Sequence, residues 1–217
     1  MKSLLKGPVL NVYIAEIPEN DGFLDLYPEA RNAEIKAINN LTVKREKYYA
    51  WKLLELAIRD TLAVDHRSIE FEKTAYGKWV SSQCEFSISH SDGVVAVAVS
   101  TKSVGVDIQL IAPLKSENLP DRIFTPRELE EYSTANGEGK NEVFARIWTK
   151  KESVFKTLNL PRYFPAEIDT FSFPTYTETR KIRDKFYAVS IAGECVEATK
   201  IISNIKFNHT EGDYYVL

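Results

Sequence analysis

Residues 86–111, FSISHSDGVVAVAVSTKSVGVDIQLI, hold two runs of β-branched residues, Val94 to Ser100 and Val104 to Ile111, joined by the polar Thr101-Lys102-Ser103. Two such runs around a short polar connector read as a β-hairpin. Side chains alternate across a strand, so Val104, Val106, Ile108 and Leu110 share one face, and Gly105, Asp107, Gln109 and Ile111 share the other. Asp107 then stands among valine and isoleucine, where an unpaired carboxylate is costly to bury. It needs either the solvent face of the sheet or a cation.

Toward the N-terminus, VLNVYIAEI (9–17) reads as a strand stopped by Pro18. In TVKREKYYAWKLLELAIRDTLAV (42–64), Ala50, Leu53, Leu54, Ala57, Ile58 and Leu62 mark one face of a long helix, with Thr42 as its cap. SIEFEKTAYGKWV (68–80) suggests a short strand, a turn at Gly77 and a return strand. Toward the C-terminus, Pro113, Pro120 and Pro126 punctuate helical segments, and Thr125 stands three residues before Glu128 in a capping pattern. TANGEGKN (134–141) is a loop, and a helix runs from about Asn141 to Leu158. FSF (171–173), KFYAVSIAG (185–193) and ATKIISNIKF (198–207) are strand-rich. This order predicts an α+β fold in two halves of similar element order, 1–102 and 103–217, each a small antiparallel sheet packed with a long helix. No low-complexity linker and no residue-level repeat separates them.

With 44% hydrophobic and 12% aromatic residues, 217 residues supply a substantial core. Lys plus Arg is 28 against 31 for Asp plus Glu, a net charge of −3, so no global basic field draws the chain to nucleic acid. Any anion site must be local. In MKSLLKGPVLNVYIAEI (1–17), Asn11 and Glu16 interrupt the apolar run, which fits neither a signal sequence nor a membrane span. A cytoplasmic address is expected, with Cys84 and Cys195 as reduced, packed thiols.

WTKKESVFK (148–156) places Trp148, Glu152 and Lys156 at i, i+4 and i+8 on one helical face. Spacing alone fits a solvated Glu–Lys pair, which contributes about 0.3–0.5 kcal/mol. It also fits a metal site, because magnesium takes one or two carboxylates together with substrate phosphate and water. Asp107 and Glu152 would be its carboxylates, and Gln109 would add a carbonyl oxygen or hold a water. SISHSDG sets His90 before a glycine turn, where an imidazole and backbone N–H groups suit phosphate. A serine hydrolase built on Ser89 or Ser91 with His90 is disfavoured: no G-x-S-x-G elbow exists, and neighbours on a strand point apart.

Taken in order, YGK (76–78), SISHS (87–91), GVDIQ (105–109), RIFTPRE (122–128) and WTKKESVFK resemble the 4′-phosphopantetheinyl transferases, in the surfactin-synthetase-activating branch. The resemblance spans roughly residues 70 to 160. It implies pseudo-two-fold halves with coenzyme A and Mg²⁺, or Mn²⁺ in its place, in the cleft between them. The first half would be the coenzyme A side and the second would carry the metal and catalytic motifs. The reaction implied is transfer of phosphopantetheine to a serine of an apo acyl or peptidyl carrier protein, with release of adenosine 3′,5′-bisphosphate. Asp107 and Glu152 would hold the metal, Lys156 would contact coenzyme A phosphate, and His90 with Ser89 would bind the phosphate region. Lys78 would lie near the nucleotide. Gln109 stands where the branch often has a third acid, and Trp79 where proline commonly follows YGK. The early-helix arginine of the family has no clear counterpart, which leaves Lys44, Arg45, Lys47 and Lys52 as candidates for the 3′-phosphate. Carrier recognition would use residues 112–147, including Arg122 and Arg127, and one chain would suffice as a monomer. The alternative is a degenerate relative that binds coenzyme A or a carrier without turnover, suggested by Gln109.

Overall fold

The computed structural model describes residues 7–19, 22–137 and 139–207, with the backbone alone at 204 and 214–216. Residues 1–6 of the N-terminal stretch read above lie outside the described residues. The chain opens with strand β1 (Leu10–Glu16), a short helix α1 (Glu29–Lys36) and the long helix α2 (Leu41–Leu62). A ribbon of β2 (Glu72–Lys73) and β3 (Trp79–Val80) precedes β4 (Glu85–Ser91), β5 (Val94–Ser100) and β6 (Val104–Leu110). Helices α3 (Leu119–Ile123), α4 (Pro126–Ser133) and α5 (Gly139–Leu158) follow. Strands β7 (Thr175–Ile182), β8 (Lys185–Gly193), β9 (Thr199–Phe207) and β10 (Tyr214–Val216) close the chain.

The fold is α+β, as expected, but its strands pair differently. β5 and β6 are not a hairpin: β5 belongs to a sheet ordered β10-β9-β1-β5-β4, and β6 to a second sheet ordered β6-β8-β7. The hairpin is β4–β5, turned by Asp92 and Gly93 at φ 44° and 78°. Positive φ at both central residues matches the right-handed twist of the flanking strands, which Asp-Gly tolerates and Thr-Lys-Ser does not. Thr101–Ser103 instead carries the chain from one sheet to the other.

The first sheet is also not purely antiparallel. β9 returns from the C-terminus to pair parallel with β1, with a register shift between Tyr13 and Ala15. The two sheets therefore do not divide the chain at residue 102, because the last strands complete the first sheet. Asn40, rather than Thr42, caps α2, its side chain accepting the Val43 N–H at 3.1 Å. The FSF segment falls in a 3₁₀ turn at Thr170–Ser172, not in a strand.

Packing follows the alternation. Tyr13, Ala15, Val95, Val97 and Val99 face Leu53, Leu54, Ala57 and Ile58 of α2 in one core cluster. Leu10, Val12, Ile14, Ala96 and Ala98 turn the other way, onto Val104, Val106, Ile108, Val189 and Ile191 of the second sheet. β5 is therefore buried on both faces, which explains its unbroken apolar run. Helix α5 packs outside the second sheet, on β6 and β8. Its approach is close at Gly105, where a β-carbon would overlap the Ser153 carbonyl oxygen. Cys84 is buried and Cys195 half-buried, both unbridged. Among the described residues no helix is long and apolar enough to cross a membrane.

Candidate active site

β4 is the outer strand of the first sheet and β6 of the second, so each has an edge of backbone groups without a sheet partner. Serines fill that gap. Ser87, Ser89 and Ser91, on one face of β4, accept the N–H groups of Val106, Ile108 and Leu110 at 3.0, 3.3 and 3.0 Å. The SISHS run is thus a seam joining the sheets. Ser89 also donates to Asp107 Oδ1 at 2.7 Å, and so touches the carboxylate instead of facing an open phosphate site.

Asp107 is only 6% exposed, so it needs a compensating charge. Lys156 supplies it, with Nζ 2.7 Å from Asp107 Oδ1 and 3.1 Å from the Val106 carbonyl. Both partners of Asp107 meet Oδ1, and Oδ2 accepts no hydrogen bond among the described residues. Glu152 lies one turn before Lys156 on α5. Burial raises its pKa above the ordinary carboxylate range, the Asp107 charge adds to that, and Lys156 opposes it. Two carboxylates from different elements thus share one site with one lysine. No third acid joins them: among the described residues no group of three His, Cys, Asp or Glu could hold a metal. Gln109 follows on the same strand face, its amide near its neighbour's carbonyl, Leu110 O, at 3.5 Å.

Beside this cluster a groove of about 420 Å³ runs between the sheets' edges and the β2–β3 ribbon. Basic groups of both halves line it, among them Arg31, Lys47, Lys78, His90 and Lys156. Tyr76, Trp51, Trp79, Phe86 and Phe155 supply apolar walls. His90 is one residue from Ser89 and so points to the other side of β4, its Nδ1 3.3 Å from Glu46 Oε2. Burial lowers its pKa, Lys156 and Lys47 act the same way, and Glu46 opposes them. Lys78 reaches the groove's edge but donates to the Lys156 carbonyl and to Asn159 Oδ1, both at 3.1 Å. It completes the C-terminal end of α5.

Lys44 and Arg45 do not line the groove: Lys44 donates to the Lys36 carbonyl at 3.2 Å, near the Phe23 ring. Lys52 is paired with Glu55 at 2.6 Å. Lys47 is therefore the one of the four α2 candidates that the groove keeps. Arg31, which sequence reading passed over, is buried on α1, 4.9 Å over the Trp51 ring and paired with Glu34. Its Nε has no hydrogen-bond partner among the described residues. Its signal was available, since Tyr-Pro followed by an acidic residue marks a helix start just before it.

The two lysines before Glu152 part ways. Lys151 is fully buried and paired with Glu128 Oε2 at 2.5 Å, and it donates to the carbonyls of Pro165 and Ile168. Glu128 closes the capping box with Thr125 and accepts from Thr170. Lys151 therefore locks α4, α5 and the following turns together, while Lys150 stays near the Phe171 ring at the surface. Trp148 stacks on Phe144 and meets Tyr163, a packing role.

Comparison with known proteins falls on the segment that carries Asp107, Glu152 and Lys156. The sequence model of the 4′-phosphopantetheinyl transferase superfamily matches residues 103–195. Among curated proteins, the chain is 32% identical over 103 residues to the 4′-phosphopantetheinyl transferase HetI of Nostoc sp., covering 44% of each. It is 32% identical over 122 residues to the transferase gsp of Aneurinibacillus migulanus, 54% of this chain and 51% of that one. With Sfp of Bacillus subtilis it shares 28% over 127 residues, 55% of this chain and 54% of that one. The chain spans about half the length of the curated relatives it matches. Residues 103–195, which hold Asp107, Glu152 and Lys156, are thus the part of the chain that is similar to the 4′-phosphopantetheinyl transferase superfamily, its Sfp-like relatives among them.

Proposed function

We propose that the protein transfers 4′-phosphopantetheine from coenzyme A to a serine of an apo acyl or peptidyl carrier protein, releasing adenosine 3′,5′-bisphosphate. The observation that carries this reading is the meeting of Asp107, Glu152 and Lys156 at the end of a basic groove. Phosphoryl transfer to a hydroxyl calls for neutralised phosphate charge and a place for the hydroxyl proton. Lys156 faces the groove and meets the first need, and Glu152, whose proton affinity burial raises, meets the second.

The donor set fits Mg²⁺. Asp107 and Glu152 are hard oxygen donors, burial first and then the Asp107 charge raise the Glu152 pKa, and Asp107 Oδ2 accepts no bond among the described residues. Gln109 contributes no charge, so substrate phosphate and water would complete the coordination. Bound there, a divalent cation would supply Lewis-acid stabilisation of the phosphate oxygens. Arg31, Lys47 and His90 are the groups for the 3′-phosphate and pyrophosphate of coenzyme A. The reading includes pseudo-two-fold halves, the first serving coenzyme A and the second the metal, in a cytoplasmic monomer. The carrier, acidic around its serine, would meet the surface that includes Arg122 and Arg127.

Mass spectrometry of an apo carrier incubated with the protein, coenzyme A and Mg²⁺ tests the proposal. A mass gain of one phosphopantetheine is expected; no gain across acyl and peptidyl carriers counts against it. The missing third acid favours one alternative, a relative that binds coenzyme A or a carrier without turnover. Transfer seen only after Gln109→Glu would favour that alternative.

A further inference from the structure

We infer that Tyr163 is a positioning residue for Glu152, its hydroxyl being the donor that holds this carboxylate toward Asp107. The inference rests on the transferase reading and adds a residue outside the motifs that carry it. Tyr163 follows α5, and its ring packs on Phe155 at a centroid distance of 4.7 Å and on Trp148 at 5.8 Å. Those two residues stand three after and four before Glu152, so the tyrosine lies across the helix face that presents Glu152.

The Tyr163 hydroxyl is buried with no hydrogen-bond partner among the described residues. A buried hydroxyl left unpaired is costly, and native structures keep one where a partner arrives with function. The carboxylates near it are those of Glu152 and Asp107. Glu152 is the acceptor within side-chain hydrogen-bonding reach of this hydroxyl, although the pair does not meet strict hydrogen-bond geometry. The terminal torsion of a glutamate is broad, so turning an oxygen into line costs little. An outer donor of this kind fixes which oxygen a metal-binding carboxylate presents.

Tyr163→Phe keeps the ring packing and deletes only the hydroxyl. The expected result is an unchanged or slightly raised melting temperature, because an unpaired polar group is removed. The half-saturating Mg²⁺ concentration should rise, and kcat should fall, each by roughly 10-fold, with the KM for coenzyme A within twofold of the parent. In a Glu152→Gln background the same change should lower kcat no further, since both act through one carboxylate. A parent that transfers while Tyr163→Phe matches it in kcat and Mg²⁺ requirement overturns this inference alone. So does a kcat loss accounted for by a lower melting temperature. A parent that neither transfers nor binds coenzyme A in the presence of Mg²⁺ overturns the transferase reading and this inference together.

Discussion

Lys156 Nζ lies 2.7 Å from Asp107 Oδ1, tying the helix of one motif to the strand of the other across the point where Gly105 lets α5 approach β6. The contact sets a cation against a carboxylate buried in an apolar strand. It also gives the lysine two tasks, holding Asp107 and facing the groove. Asp107→Asn should lower transfer by roughly 10²-fold or more, since the site then loses a full charge at the reacting phosphates. Lys156→Ala should cost a comparable factor and also raise the KM for coenzyme A. Steady-state kinetics on both variants check this, and transfer by Asp107→Asn within a few-fold of the parent would refute the carboxylate's role.

Glu128 and Lys151 are the most buried ion pair among the described residues, both fully out of solvent. Removing one partner strands the other, so Lys151→Met should destabilise by about 3–5 kcal/mol. The double change Glu128→Leu with Lys151→Met should recover much of that loss, because a hydrophobic replacement of a buried pair is often close to neutral. Urea unfolding of the two variants reads the difference. If Lys151→Met unfolds like the parent, the pair does not hold α4 to α5.

Much of this was legible in the sequence where local rules decide. The alternation of Val104, Val106 and Ile108, the capping box at Thr125 and the i, i+4 pair of Glu152 and Lys156 all depend on residues near one another. Strand pairing does not. Val94–Ser100 and Val104–Leu110 look like the arms of a hairpin, yet each found a partner elsewhere, β4 for one and β8 for the other. The Asp-Gly dipeptide between β4 and β5 was the stronger turn signal. No local feature of residues 199–207 says that they will pair with β1, about 190 residues earlier in the chain. The family resemblance sets Ser89 beside His90 in a phosphate region, whereas the edge geometry of two sheets turns it onto Asp107. Lys150 and Lys151 look alike in the sequence, and only the helix phase buries one of them.

Arg31 offers a way to separate recognition of coenzyme A from the chemistry. Its guanidinium lies over Trp51 and is held by Glu34, in a groove that also holds Lys47 and His90. Arg31→Ala should raise the KM for coenzyme A by roughly 10-fold or more, the worth of a charge-assisted contact. With 3′-dephospho-coenzyme A the parent and the variant should differ little. An equal loss on both substrates would move Arg31 from the 3′-phosphate to the pyrophosphate, or to a packing role against Trp51.

Glu152 gives a prediction in pH as well as in rate. Its pKa is raised, by burial first and then by Asp107. A carboxylate with a raised folded-state pKa keeps a proton that the unfolded chain has already released. Its contribution to stability is therefore present below the ordinary glutamate pKa and is lost as pH rises through the higher folded value. Once pH passes that folded value, the ionised, half-buried carboxylate stands beside Asp107 as an unfavourable neighbour. Glu152→Gln removes that repulsion, so the variant should melt above the parent at pH 8, and the difference should shrink toward pH 4. Transfer should fall by roughly 10²-fold or more, the usual contribution of a positioned base. Saturating Mg²⁺ with coenzyme A should narrow the stability gap at pH 8, because a cation between the two carboxylates relieves the same repulsion in the parent. Thermal melts across pH 4 to 8, with and without these ligands, measure all three effects. A variant that melts below the parent at pH 8 would show that Glu152 is held by a structural partner and is not strained against Asp107.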